Sequence, residues 1–145
     1  MKIKSNEISI VTYVLMAWIA MVGMQCSDEV SSTVKKTALL TSKSWVIQSV
    51  MIDGVDKTEL FHDMELGFTP AHYTSVNGGK FWAESGTWEF GDDLSTIILD
   101  NVLEVQVLLL DGETFKASLV WNETSFGSGR VQSVAGVHEF HFIHP

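Results

Sequence analysis

Cysteine occurs once in these 145 residues, at position 26. A lone cysteine has no internal disulfide partner, so in an exported chain it is either free and oxidisable or covalently occupied. Basic residues are few: nine Lys and Arg stand against 18 Asp and Glu, for a formal charge of −9. That balance repels nucleic acid and anionic membrane surfaces alike, and it is also ordinary for a soluble exported domain. Catalytic signatures are missing too. No serine sits in a glycine-flanked elbow, no glycine loop has the spacing that cradles phosphate, and no thiol is left once Cys26 is accounted for. These absences argue against an enzyme. Proline occurs only at 70 and 145, and no segment holds a helical period beyond a turn at Thr58 to Met64.

What is there begins with a long apolar run. Lys2 and Lys4 give a positive start, and Ile8 to Gln25 is an uncharged stretch of 18 residues, slightly longer than the ~7–15 apolar residues of a secretory signal core. A retained membrane anchor, which needs ~20 apolar residues with a floor near ~17, stays open as an alternative. Cys26 favours a leader, because signal peptides of bacterial lipoproteins end at a cysteine that is lipidated and becomes the first mature residue. Val22-Gly23-Met24-Gln25-Cys26 resembles such a site, with Gly23 and Gln25 where the usual pattern has an aliphatic and a small residue. Ser27-Asp28-Glu29 resembles the acidic signal that follows the lipidated cysteine in surface-exposed lipoproteins of the Bacteroidota. Two or three acyl chains, at ~0.8 kcal/mol per buried CH2, suffice for stable anchoring.

The expectation is therefore an exported protein, anchored by its lipid at the outer membrane or cell surface, with a leader over 1–25. Lipidated Cys26 and a flexible tether rich in Ser and Thr then cover 26–43, the tether's last turn capping the domain, which spans 44–145. Removing Lys2, Lys4 and Glu7 with the leader leaves 120 residues with seven basic and 17 acidic side chains. That length fits one domain plus a tether.

From Lys43 on, short runs of β-branched and aromatic residues alternate with turn signals: Asp53-Gly54, Asn77-Gly78-Gly79, Gly91-Asp92-Asp93, Asp111-Gly112 and Gly127-Ser128-Gly129. Their density predicts a meander of antiparallel strands. The strands are expected at 44–52, 64–69, 73–76, 81–90, 96–100, 102–110, 114–122 and 137–143. Phe115, Ala117, Leu119 and Trp121 share one face against Lys116 and Ser118, while Trp88 and Phe90 oppose Thr87 and Glu89. Short strands with one buried face close into a barrel or pack as two sheets, and closure also removes exposed edges.

A resemblance sharpens this. Leu39 to Val50 with its Trp45, the following Ile52-Asp53-Gly54, then Glu84-Ser85-Gly86-Thr87-Trp88-Glu89-Phe90 leading to Thr96-Ile97-Ile98-Leu99, and the closing Phe140-His141-Phe142, are similar to the lipocalin-like domains of Bacteroidota lipoproteins. Phe68-Thr69-Pro70-Ala71-His72-Tyr73 keeps the aromatics of that family's early hairpin and replaces its glycine. The resemblance spans nearly the whole mature chain. It implies an all-β, antiparallel up-and-down barrel of about eight strands, with an interior that takes a small apolar ligand and with the first-strand Trp45 plugging the closed end.

Aromatic rings offer rigid apolar surface, so Trp88, Phe90, Phe115 and Trp121 are the expected lining of a ligand cavity. Trp82, expected as an exposed aromatic at a loop, is the fifth expected ligand contact. His138, His141 and His144 lie three apart, but strand geometry sends His141 to the opposite face and separates the other two by about 20 Å, so no metal is expected on them. His138-Glu139-Phe140-His141 also lacks the spacing of the zinc protease helix. No cofactor is expected. The leading reading is a lipoprotein whose barrel binds a small, mostly apolar ligand. The alternative is a protein-interaction module with a filled core, such as an accessory subunit or inhibitor-like barrel, using rim loops 53–63 or 122–136. Catalysis would need a buried polar cluster with displaced pKa values.

Overall fold

The computed structural model describes residues 27–122 and 135–145; the leader, Cys26 and the Gly127-Ser128-Gly129 turn lie outside them. The chain divides into two compact units, Met1–Val34 and Lys35–Pro145. The described part of the first is the opening of a helix, α1 (Ser27–Leu40). This corrects the flexible tether expected there. The segment contains no glycine or proline to break it, and tertiary contacts fix its last turn. Leu40 is fully buried, and its carbonyl accepts a hydrogen bond from Trp45 Nε1 at 2.9 Å. Thr41 closes onto the Thr37 carbonyl through both its amide and its hydroxyl, and Ser42 does the same to Leu39. Carbonyls that a helix end leaves unpaired are thereby satisfied. Among the described residues, no helix is long and apolar enough to cross a membrane.

The second unit is a barrel built from β1 (Trp45–Ile52), β2 (Val55–Asp56), a 3-10 turn at Thr58–Phe61, β3 (Glu65–Phe68), β4 (His72–Val76), β5 (Ser85–Phe90), β6 (Thr96–Leu99), β7 (Leu103–Leu110), β8 (Thr114–Trp121) and β9 (Gly136–Ile143). From β3 onward each strand pairs antiparallel with the next, and β1 pairs with both β3 and β9, from Val46↔Ile143 to Ile52↔His138. Eight strands close into an up-and-down barrel, with β2 a two-residue stub on the edge of β1. The fold is all-β apart from α1, as the alternation predicts.

Turn chemistry places the corners. Asp53 and Gly54 both have positive φ, the geometry of the tight hairpin joining β1 to β2. Asp100 and Asn101, also at positive φ, turn β6 into β7, a corner that carries no glycine. A bulge between Val107 and Leu109 leaves Leu108 and Leu109 both exposed and returns Leu110 to the core.

One predicted strand is shorter than expected. β5 starts at Ser85, because Phe81 and Trp82 are consecutive and both buried, which a pleated strand cannot achieve. Residues 77–84 instead fold inward. Ser75 holds them: its amide donates to the Glu84 carbonyl, and its hydroxyl lies 2.8 Å from the Trp82 carbonyl and 2.9 Å from that of Ala83.

Candidate functional site

Aromatic rings in the barrel core contact one another in series from the α1 end toward the opposite end. At the α1 end Trp45, fully buried, stacks on His144 at 3.9 Å and meets Phe115 at 5.7 Å. Phe115 stacks on Phe142, Phe142 on Phe140, and Trp82 sets its ring edge-on to both Phe140 and Phe142. Phe61 and Phe81 continue the contacts from Phe140 to the opposite end, the mouth. Each such pair adds to the area it buries.

This arrangement redistributes the residues expected to line a cavity. Trp88 touches Phe90, and it reaches Phe115 only through Phe68. Trp121 packs against Phe81 at the mouth, 4.9 Å away. Phe115 and Trp82 are buried to within 1 % of full coverage, so Trp82 is core rather than an exposed loop aromatic. Of these five rings, Trp88 and Phe90 are the pair in direct contact. Each has another ring for a neighbour, and periodicity alone cannot distinguish lining a cavity from filling one. Trp45 lies fully buried at the α1 end, its indole N–H donating to the Leu40 carbonyl.

His138 sits in the mouth with no exposed surface, beside Phe81 and Phe140. Its Nδ1 lies 3.1 Å from the Gly136 carbonyl, and Nε2 has no hydrogen-bond partner among the described residues. Burial pushes its pKa below the usual imidazole range, against the opposing pull of the Gly136 carbonyl and the Asp53 carboxylate. The folded state therefore holds His138 neutral while the unfolded chain takes up a proton, so stability is full above the ordinary pKa of 6.5 and falls as pH drops through and below it. Urea unfolding of His138→Leu from about pH 7 to about pH 5 is expected to show a flatter pH dependence than wild type. The remaining slope belongs partly to His141, lowered by burial and by Lys116. An unchanged slope would show that His138 stays accessible to protons.

The displaced carboxylates are each explained by a turn. Asp56 accepts from the amide and hydroxyl of Thr58, Asp93 from those of Ser95, and Asp111 from the amides of Glu113 and Thr114; these bonds hold all three carboxyls below their usual range. Asp100 is lowered by the Thr87 amide first and also accepts from Tyr73 Oη at 3.0 Å. Burial, helped by Asp100, pushes the Tyr73 phenol up to about 12. The first three pairings lock single turns, whereas Asp100 ties Tyr73 of β4 and Thr87 of β5 to the β6–β7 corner.

A hollow of about 490 Å³ lies elsewhere, where β7 and β8 part near the mouth. Its apolar surface comes from Leu103 and Leu119, which point inward, and from Val102 and Val120, which are 85 % and 59 % exposed. Thr96, Glu104, Gln106 and Ser118 add polar groups. Val120 stands opposite Val137, itself exposed, so the apolar surface extends onto β9. None of the five expected ligand residues lines this hollow.

The chain matches no family model, no curated protein and no solved structure. Its chemistry must therefore be read from its own surfaces. Among the described residues no cluster of His, Cys, Asp and Glu has the geometry to hold a metal ion. His138 and His144 lie at opposite ends of the barrel, against Phe81 and Trp45 respectively. The hollow carries no sequence signature, because a stop in strand pairing creates it rather than a motif; of its lining, alternation marks Leu119 and Ser118 alone, as opposite faces of β8.

Proposed function

We propose that this chain is a non-enzymatic, lipid-anchored binding module of the lipocalin-like type, exported to the outer membrane or cell surface, whose barrel interior is structural and whose partner contacts lie on its outer surface. The observation that carries the reading is the unbroken succession of ring contacts from Trp45 to Phe81, which supports an interior packed with side chains. It favours the interaction module over the internal carrier. The hollow between β7 and β8, with exposed Val102, Val120 and Val137 around it, supplies a contact surface of the size that partners use. The non-catalytic part is supported by the displaced carboxylates, each tied up in a structural hydrogen bond rather than left facing a cavity.

Native mass spectrometry of the full chain with palmitate and with a polycyclic dye tests the packed interior. The expected spectrum shows the unliganded mass alone; a stoichiometric complex with either probe would overturn the reading. The anchor is tested separately. Metabolic labelling with an alkyne palmitate analogue is expected to mark the wild type and to vanish in Cys26→Ala, and label that survives the substitution would sink the lipid attachment.

A further inference from the structure

We infer that the parted ends of β7 and β8 accept an extended peptide segment of a partner protein as an added strand. The inference rests on the outer-surface reading and names what that surface takes. The β7–β8 ladder runs from Leu110↔Phe115 to Gln106↔Ser118 and stops. β7 nevertheless continues to Leu103, held on its other side by β6 through Ile97↔Val105, Ile98↔Glu104 and Leu99↔Leu103. β8 likewise continues to Trp121, held by β9 through Leu119↔His138, Val120↔Val137 and Trp121↔Gly136. Backbone groups alternate from side to side along a strand. Val107 N–H donates to the Ser95 carbonyl on the β6 side, and Val137 turns its N–H and C=O to Asp53. Within 103–105 and 119–121 it is therefore Glu104 and Val120 whose N–H and C=O face the gap, with no ladder partner among the described residues. Between them lies the hollow.

A strand carries a row of N–H and C=O groups along each side, and an unpaired row is a template for another extended chain. A compact apolar molecule would satisfy none of those groups. An extended peptide pairs with them, and its alternating side chains meet two different surfaces. One set faces inward onto Leu103 and Leu119, and the other lies outward between Val120 and the carboxylate of Glu104. Glu104 is the charged group of the lining, so the outward set is expected to include a Lys or Arg next to apolar residues.

A displayed library of linear nonapeptides, panned against the full-length protein in detergent micelles, tests this. Enrichment of alternating apolar sequences containing a basic residue is expected. Glu104→Lys should weaken the selected peptides by about tenfold, and panning on that variant should turn the preference acidic. Methylating alternate peptide amides should abolish binding, and hydrogen exchange should slow at the Glu104 and Val120 amides when the unmodified peptide is bound. No enrichment, or binding indifferent to amide methylation, would overturn strand acceptance. Peptide-free dimerisation that protects the same amides would overturn it in favour of a second copy of the chain. None of these results bears on the packed interior, which the lipophile measurement judges alone.

Discussion

Trp45→Ala is expected to destabilise the barrel by about 3–5 kcal/mol, the range for truncating a buried aromatic, and to lower its melting midpoint by roughly 12–20 °C. Trp45 is fully buried at the first residue of β1 and joins three parts of the molecule at once. Its ring lies between His144, beyond the last strand, and Phe115 of β8, while its indole N–H caps the Leu40 carbonyl at the end of α1. Removal leaves a void beneath α1, an uncapped helix carbonyl and a half-covered His144. Calorimetry beside Trp121→Ala makes the comparison internal, because Trp121 is only half-buried and should lose less. A Trp45→Ala loss under about 1 kcal/mol would mean that the α1 end is not held by this ring.

Gly78→Ala is expected to destabilise the barrel by about 1–3 kcal/mol or more. A Cβ at Gly78 would stand 2.5 Å from Trp82 Cβ and 2.6 Å from both Ser75 Oγ and the Trp82 carbonyl oxygen. Two of those atoms belong to the bonds that draw Phe81 and Trp82 into the mouth, and one is main chain, so no side-chain rotation relieves the clash. The control is Gly112→Ala at the β7–β8 corner, where nothing lies within 4 Å of the added carbon; it should fall within about 0.5 kcal/mol of wild type. Urea midpoints read by tryptophan fluorescence separate the two variants. Equal midpoints would show that the 77–84 segment can move outward at little cost.

The strands were legible because their alternation survives in the residue order. Along β8, Phe115, Ala117 and Leu119 are buried and Val120 is exposed, so periodicity and turn residues located the barrel's walls to within a residue or two at most ends. Three things were not legible. α1 lacks a strong apolar stripe, and its last turn is held by Leu40 and Trp45, a contact that only the folded chain supplies. The inward path of Phe81 and Trp82 depends on Ser75, a residue with no signature of its own. Aromatic alternation in β5 and β8 marked an interior correctly without revealing whether that interior was hollow. The ring contacts of Phe68, Phe115, Phe140 and Phe142 carry the packed-interior reading, and they arise from pairing between distant strands. The β7–β8 hollow is likewise a property of register, set by where one ladder ends.

The seam between β1 and β9 has a consequence for the order of events in folding. Its partners, Val46↔Ile143 among them, and the contact from His144 Nδ1 to the Ser44 carbonyl join positions about 100 residues apart. Loop closure over such a span comes late and slowly, since its entropy must be overcome before the pairing returns anything. A chain emerging from its N-terminus would present β1 with no partner on the β9 side until β9 appears. The barrel can close only once β9 is present. Truncation before Gly136 would leave β1 and β8 as two open edges prone to self-association.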